Sequence, residues 1–574
     1  MENLKYTEIL RLNAKLALQS KGKVYRIGIL ANVTVNPIKE ILEYNCRAHE
    51  IEPLLEIGNF DNIVQDSAAG GDKDLVIVIY DLFALIDKQQ YFGPRTFDSL
   101  LEQICLEIDT IFNNLRQQAA VVFNLFSAAG FAPGYGTYTL AEQLADRLNQ
   151  YLKDKCPSNT ILLDIDKIIS RLGVKQALDM RFYYSSKAPY SISFLKEYVL
   201  ALQPQLLKQN GKLKKALIFD CDNTLWKGII GEDGIDGIEY AKSTVPGRYF
   251  AEVQQLAARL SEQGVLIGLC SKNNPEEVKE VLQKNDALLR PEHIVIQKVN
   301  WQDKANNLAA IAAELNIGTD SLVFVDDAPF EINLIKEKLP EVLTFQVPEV
   351  LMEYSYQLEA LVNRYFNTHP NKEDAAKTRM YKEQSEREAS KNAFASIDDY
   401  LASLEIKLSI SLDNIDQIAR VAQLTQKTNQ FNLTTIRYTE NEIAQLMQSA
   451  DSFVYALSVN DKFGDSGLTG VCIVRGDSKN TSTARIDTLL MSCRIIGRNI
   501  EHVFFNYIVN HLKKEGYKTL EATYVPTRKN MQVADFYKMK GMQRKDMHSD
   551  NNVEYTMDLA DFTPSKYNYI TIQS

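Results

Sequence analysis

The sequence has few of the features that mark membrane, nucleic-acid or secreted proteins. No run of about 18 apolar residues occurs, so a membrane-spanning helix is not expected. Lys and Arg number 64 against 74 Asp and Glu, a net charge of −10, and no basic stripe appears; nucleic acid and anionic membrane are therefore poor partners. The seven cysteines (Cys46, Cys105, Cys156, Cys221, Cys270, Cys472 and Cys493) are odd in number and form no C-x-x-C pair, which argues against a disulfide framework and a structural zinc site. The first residues lack an apolar core followed by a small-residue cleavage site. Together these absences predict a soluble, reduced, cytoplasmic protein.

What is present is an ordinary globular composition, 45% hydrophobic and 24% charged. At roughly 150 residues per domain the length predicts about three to four domains. Short apolar runs alternate with helical periods from residue 24 to 210, and the alternation restarts at Lys214-Lys-Ala-Leu-Ile-Phe-Asp220. Residues 366–395 carry dense mixed charge and little apolar period, as a helical connector would. Beyond them, helix and strand patterns mix. The expected organisation is an α/β domain over 1–210, a second over 211–365, the connector, and an α+β domain over 396–574. No internal repeat or low-complexity tract interrupts it.

Chemistry concentrates in the second domain. Asp220 and Asp222 follow an apolar strand, where open α/β sheets bind ligands. Ser271 ends a later strand, Lys304 opens a helix, and Asp326-Asp327 end a third strand. Phosphoryl transfer to a carboxylate needs these parts: a nucleophile, a proton carrier, a hydroxyl and an ammonium for phosphate oxygens, and carboxylates to seat Mg²⁺. Singly, each has a bland explanation as a helix cap or a solvated turn. Four on successive strand ends, in this order, do not.

This order, and the string DCDNTLWKGIIGEDG over residues 220–234, resembles the haloacid dehalogenase (HAD) superfamily and its FkbH-like branch. The resemblance implies a Rossmann-like core, with Asp220 as the nucleophile that becomes an aspartyl phosphate and Asp222 as general acid/base. Ser271 and Lys304 would bind phosphate. Asp220, Asp326 and Asp327, with the main-chain carbonyl of Asp222, would hold Mg²⁺. Only 49 residues separate Asp222 from Ser271 and 33 separate Ser271 from Lys304, which leaves no room for a large cap. The Gly-rich segment 227–237 is predicted to form a small β-hairpin flap. An open site of this kind suits a carrier-tethered partner.

In the last domain, an apolar strand ending at Asp487-Thr-Leu-Leu-Met-Ser-Cys-Arg-Ile-Ile-Gly-Arg498 precedes an amphipathic segment over 500–515, and Asn530 to Gly541 places Tyr537 before a glycine. Plain strand-turn-helix and C-cap features would look alike. Together the segments resemble the GNAT acyltransferase fold, although Asn499 departs from its pyrophosphate-binding turn. By that resemblance Arg494, Gly497, Arg498, Asn530 and Tyr537 would contact a carrier's phosphopantetheine arm. Gln423 to Leu433 is typical of FkbH-like chains and would line a polar cleft or form a capped surface helix. Cys493, beside Arg494 and a helix start, is the candidate acyl-bearing thiol. Cys221 competes, but the carboxylates flanking it would make it a poorer thiolate.

The first domain resembles a flavodoxin-like, SGNH-hydrolase-type module, with Ile29-Leu-Ala-Asn-Val-Thr34 after its first strand and Asp179-Met-Arg-Phe-Tyr-Tyr-Ser near its end. Asn32 and Thr34 stand where a nucleophilic serine is sought and no Asp-x-x-His follows, so a noncatalytic binding module is expected. Gly58, Asn59 and Asn124 read equally as remnants of an oxyanion hole or as turn residues. Overall the resemblance implies dephosphorylation of a small phosphorylated acyl donor, of the 1,3-bisphosphoglycerate type, with transfer of the glyceryl group to an acyl carrier protein thiol. A stand-alone Mg²⁺-dependent phosphatase and a noncatalytic assembly scaffold are the alternatives. The sequence leaves the oligomeric state open.

Overall fold

The computed structural model describes the chain except residues 2–3, 20–23, 70, 72, 119, 132–135, 367–393, 395, 429, 478–479, 493–494, 528, 546–551 and 574. Almost all of the expected charged connector, together with Cys493 and Arg494, thus lies outside the described residues. The chain divides into two compact units, Met1–Asn210 and Gly211–Ser574.

In the first unit, β1 (Val24–Ala31), β2 (Glu52–Ile57), β3 (Leu75–Ile79), β4 (Val121–Asn124) and β5 (Thr160–Leu163) form a parallel sheet in the order β2-β1-β3-β4-β5. This is the flavodoxin-like order, whose ligand crevice lies between β1 and β3. Helices on both faces bury β3 completely, so its five residues are all aliphatic.

The second unit holds two sheets. β6 (Ala216–Phe219), β7 (Leu266–Ser271), β8 (Ile294–Val299), β9 (Leu322–Asp326) and β10 (Leu343–Gln346) are parallel in the order β10-β9-β6-β7-β8. The order reverses at β6, so the crevice opens at the C-terminal end of that strand. Gly268 of β7 lets three strands approach: a Cβ there would stand 2.7 Å from Ile218 and 2.9 Å from Ile296. No domain is inserted between Asp222 and Lys304; the helix Val245–Glu262 in that interval packs its apolar side into the sheet's core.

The other sheet joins β11 (Ile406–Leu412), β12 (Phe431–Asn432), β13 (Ser452–Asp461), β14 (Gly464–Asp477), β15 (Asn480–Met491), β16 (Thr519–Tyr524), β17 (Gln543–Arg544), β18 (Val553–Asp558) and β19 (Ile570–Gln573). It is mostly antiparallel, but β15 and β16 pair in parallel from Thr483 to Ile486. Helices Ile418–Lys427 and Glu440–Gln448 cover one core, and Ile500–Lys514 covers the other.

Asp487 of β15 is mostly buried, takes a hydrogen bond from the Tyr438 hydroxyl, and lies 3.4 Å from Arg475. Burial pushes its carboxyl up to about 6. A carboxyl raised on folding favours the folded state as pH falls and opposes it once ionised. Asp487→Asn should therefore stabilise the chain at pH 7 by on the order of 1 kcal/mol after solvent screening is counted. Urea unfolding of both forms between about pH 4 and 7 checks this, since the variant should lack the native dependence.

Candidate active site

The site forms where β6 ends. The Asp220 amide donates to Val325 O at 2.9 Å, extending the β6–β9 ladder by one residue before the chain turns. Asn223 then adopts φ +50°, a left-handed conformation that Asn tolerates, and Gly228 follows at φ +104°. Asn223 and Gly228 close this loop: the Gly228 amide donates to Asn223 Oδ1 at 3.1 Å.

The expected hairpin flap takes a different form. Lys227 and Glu239 make a single antiparallel bridge, and between them lies the short helix Ile230–Asp233. Two carboxylates explain the change, because Asp233 accepts from the Ile229 amide at 2.8 Å and Asp222 from the Ile230 amide at 3.1 Å. Both satisfy helix-start amides, which a hairpin would have paired across strands.

Strand ends and one helix start bring Asp220, Asp222, Ser271, Lys304, Asp326 and Asp327 together. Lys304 begins the helix Lys304–Glu314, whose Asp303 cap accepts from the Ala305 and Asn306 amides. From there the buried Lys304 ammonium lies 3.0 Å from Asp220 Oδ1 and 2.6 Å from Asp326 Oδ2. Burial lowers Lys304, but these two carboxylates outweigh it and hold the ammonium above its ordinary range. Burial pushes Asp220 up to about 6, with Lys304 and a Ser271 hydrogen bond pulling it down and Asp326 adding to the rise. Asp326 and Asp327 are raised too, mainly by burial.

Carboxylate oxygens of Asp220, Asp326 and Asp327 lie within 4.8 Å of one another. One lysine cannot neutralise three acids, and the donor set is all hard oxygen, so these residues fit a divalent cation such as Mg²⁺. Cys221, between Asp220 and Asp222, is buried; burial first and then Asp220 push its thiol far up, which makes it a poor nucleophile.

Sequence inspection overlooked the residues that grip Asp222. Trp226 Nε1 donates to Asp222 Oδ1 at 2.8 Å, and Asn273 Nδ2 donates to Asp222 Oδ2 at 3.0 Å and to Ser271 Oγ at 3.1 Å. A Trp four residues after Asp222 and an Asn two residues after Ser271 were the available signals. Lys272 turns aside to Glu331, 2.7 Å away.

The C-terminal candidates are placed differently. Gly497 takes φ +82° and Asn499 φ +62° in the turn before Ile500–Lys514. Arg498 is buried and paired with Asp461 at 2.9 Å. Tyr537 is fully buried, its hydroxyl without a hydrogen-bond partner among the described residues. Asn530 is spent on the chain itself: its amide donates to Asn432 O and Val525 O, and its oxygen accepts from the Thr527 amide.

Those bonds close a gap. β15 and β16 part after Ile486 and Ala522, and β12 enters beside the far half of β15, pairing Phe431 with Met491 and Asn432 with Leu490. Leu433 then links both sides, its amide donating to Leu489 O and its carbonyl accepting from Val525. Of the stretch Gln423 to Leu433, expected to line a polar cleft or form a capped surface helix, the residues to Lys427 end the helix Ile418–Lys427, whereas Phe431 to Leu433 pack into the sheet with Asn432 fully buried.

Within this unit, segments following β12 and β16 meet segments preceding β6 and β9, at the end of the parallel sheet away from Asp220. Lys529 pairs with Asp320, and Gly211 packs on Arg437. Asp320 precedes β9 and Asp326 ends it, six residues later, so the contact and the acid cluster are about 20 Å apart.

In the first unit, Asn32 and Asp81 exchange hydrogen bonds, Tyr190 donates to Asp81 at 2.7 Å, and Asn124 is bonded to Tyr80. Gly58 and Asn59 pack on Asp66. His49 is the one histidine before residue 210, and its Nδ1 contacts Asn45 O. Among the described residues no helix is long and apolar enough to cross a membrane.

No family profile matches the sequence, and no curated protein does. Among solved structures, the N-terminal part of the protein BF1531 from Bacteroides fragilis, described as containing a phosphatase domain complexed with Mg, matches with TM-score 0.55 and 23% identity. The match covers 64% of this chain and 99% of that one. The ribosomal-protein-S18-alanine N-acetyltransferase from Escherichia coli matches with TM-score 0.22 and 11% identity over 28% of this chain and 99% of its own. An N-acetyltransferase from Staphylococcus aureus matches with TM-score 0.21 and 13% identity over 27% and 99%. The last two likenesses are too slight to carry an argument. The first is one of fold, and with the chain's own topology it establishes a multidomain α/β architecture built on parallel sheets.

Proposed function

We propose that the chain is a Mg²⁺-dependent, FkbH-like phosphatase of the HAD type that removes phosphate from a small phosphorylated acyl donor of the 1,3-bisphosphoglycerate type and passes the glyceryl group to an acyl carrier protein thiol. The observation that carries the phosphatase part is the convergence of Asp220, Ser271, Lys304, Asp326 and Asp327 at the switch point of a parallel sheet.

In this reading Asp220 attacks phosphorus and Asp222 protonates the departing oxygen. Water then attacks the aspartyl phosphate, giving its proton back to Asp222. Ser271 and Lys304 hold phosphate oxygens, and Lys304 keeps Asp220 aimed. A bound Mg²⁺, held by Asp220, Asp326, Asp327 and the Asp222 carbonyl, would offset the repulsion between phosphate and carboxylates. The name of the Bacteroides fragilis structure, a phosphatase domain with Mg, supports the assignment.

Acyl transfer rests on the FkbH-like string. Cys493 and Arg494 are the proposed transfer residues. The filled gap between β15 and β16 favours a second reading, in which the C-terminal domain recognises the partner and the chain acts as a phosphatase only. Mixing the protein with Mg²⁺, 1,3-bisphosphoglycerate and a pantetheinylated carrier, then reading carrier mass and free phosphate together, separates them. A glyceryl-sized gain on the carrier with phosphate release is expected for transfer. Phosphate release with an unmodified carrier supports the second reading, and neither signal contradicts both.

A further inference from the structure

Asp222 is held more tightly than a proton carrier needs to be. Its Oδ1 accepts from the Trp226 indole at 2.8 Å and from the Ile230 amide at 3.1 Å, which occupies both lone pairs. Among the described residues its Oδ2 accepts from Asn273 alone, at 3.0 Å, and keeps one lone pair open. Trp226 is fully buried, and Asp222 is the hydrogen-bond partner of its N–H, so the indole satisfies its one polar atom by fixing the carboxylate. Asn273 also touches Ser271, which ties the open oxygen to the phosphate-binding side.

We propose that Trp226 is a positioning residue which, with the Ile230 amide, pins Oδ1 of Asp222 so that Oδ2 alone carries the proton in both chemical steps. The inference rests on the phosphatase reading above and adds the residues that aim its acid/base. In the first step the bond from Asp220 to phosphorus forms, the bond from phosphorus to the leaving oxygen breaks, and that oxygen takes the proton from Oδ2. In the second, water oxygen bonds to phosphorus, the Asp220–phosphorus bond breaks, and the water proton returns to Oδ2. A carboxylate free to rotate would spend part of its time with neither oxygen on that line.

Two variants remove one donor each. Trp226→Phe deletes the indole N–H and keeps an aromatic filler. Ile230→Pro deletes the amide N–H and exchanges the buried isoleucine side chain for the smaller proline ring; Ile230 is the first residue of its helix, where proline is tolerated, and Ile229 already has φ −115° and ψ 112°, as a residue before proline requires. Because the second variant leaves the buried indole in place, the test does not depend on the first one folding.

The readout is leaving-group release from the first turnover onward, with Mg²⁺ and substrate in excess over enzyme. An alkyl phosphate needs a proton on its departing oxygen; p-nitrophenyl phosphate does not. Both variants should slow alkyl release about 10- to 100-fold and leave nitrophenolate release within about threefold, at unchanged KM. The aryl substrate should then show a burst equal to the enzyme concentration, because water attack on the aspartyl phosphate has become slow. Equal slowing of both substrates without a burst, or no slowing of either, would overturn the positioning role. Failure of the native chain to release phosphate from either substrate would overturn the phosphatase reading, and this inference with it.

Discussion

Asp220→Asn is expected to lower phosphate release by at least about a thousandfold, because the amide cannot attack phosphorus and no other group at the site takes its place. Stability should move the other way. Asp220, Asp326 and Asp327 crowd within 4.8 Å around the single ammonium of Lys304, and burial already raises all three acids. Replacing one carboxylate with an amide removes a buried charge and leaves Lys304 paired with Asp326 at 2.6 Å. Without divalent cation the variant should therefore be more stable than the native chain by about 1–2 kcal/mol at neutral pH. Adding Mg²⁺ should narrow that difference, because the native cluster binds the ion better and gains more from it. Loss of activity with gain of stability separates a reacting carboxylate from a structural one.

Lys304→Met should do the reverse. The ammonium is 95% buried and bridges Asp220 and Asp326, so its removal leaves three acids with no cation among them. A cost of about 3–5 kcal/mol follows for a buried charge that loses its partner. The deficit depends on pH with a definite sign. The carboxyls of Asp220, Asp326 and Asp327 are raised in the folded chain, and without Lys304 they rise further. Raised acids bind protons more readily folded than unfolded, so the deficit shrinks as pH falls below neutral. Mg²⁺ should recover part of it at pH 7. Denaturant midpoints for native and variant chains, with and without Mg²⁺ and from about pH 5 to 8, check all three statements.

The site was legible in the sequence because its parts lie at the ends of short apolar strands, where local pattern is strongest. Phe219-Asp220, Cys270-Ser271 and Val325-Asp326 each mark the place where a fully buried strand meets the crevice. Parallel strands buried on both faces are continuous aliphatic runs, so their ends are sharp. The flap was misread because glycine spacing suits a hairpin and a helical turn alike. What chose the helix was Asp222 taking the Ile230 amide, a contact between residues eight apart.

Long-range pairings were less accessible still. Phe431 meets Met491 across sixty residues, and no local period announces that a two-residue strand enters another sheet. The same holds for Asn530, whose position suggested ligand contact but whose amide holds Asn432 and Val525 in place. Contact between the second and third expected domains, through Lys529 and Asp320, joins residues more than two hundred apart.

The central claim is that Asp220 becomes phosphorylated during turnover. Quenching the Mg²⁺-loaded native chain with a phosphorylated substrate in acid, reducing with borohydride and mapping peptides by mass tests it directly, since an aspartyl phosphate is reduced to homoserine and an unmodified aspartate is not. The account predicts homoserine at position 220 in the native chain, none at 222, 326 or 327, and none anywhere in Asp220→Asn. Homoserine at another aspartate, or full phosphate release with no reducible acyl phosphate at any position, would contradict it.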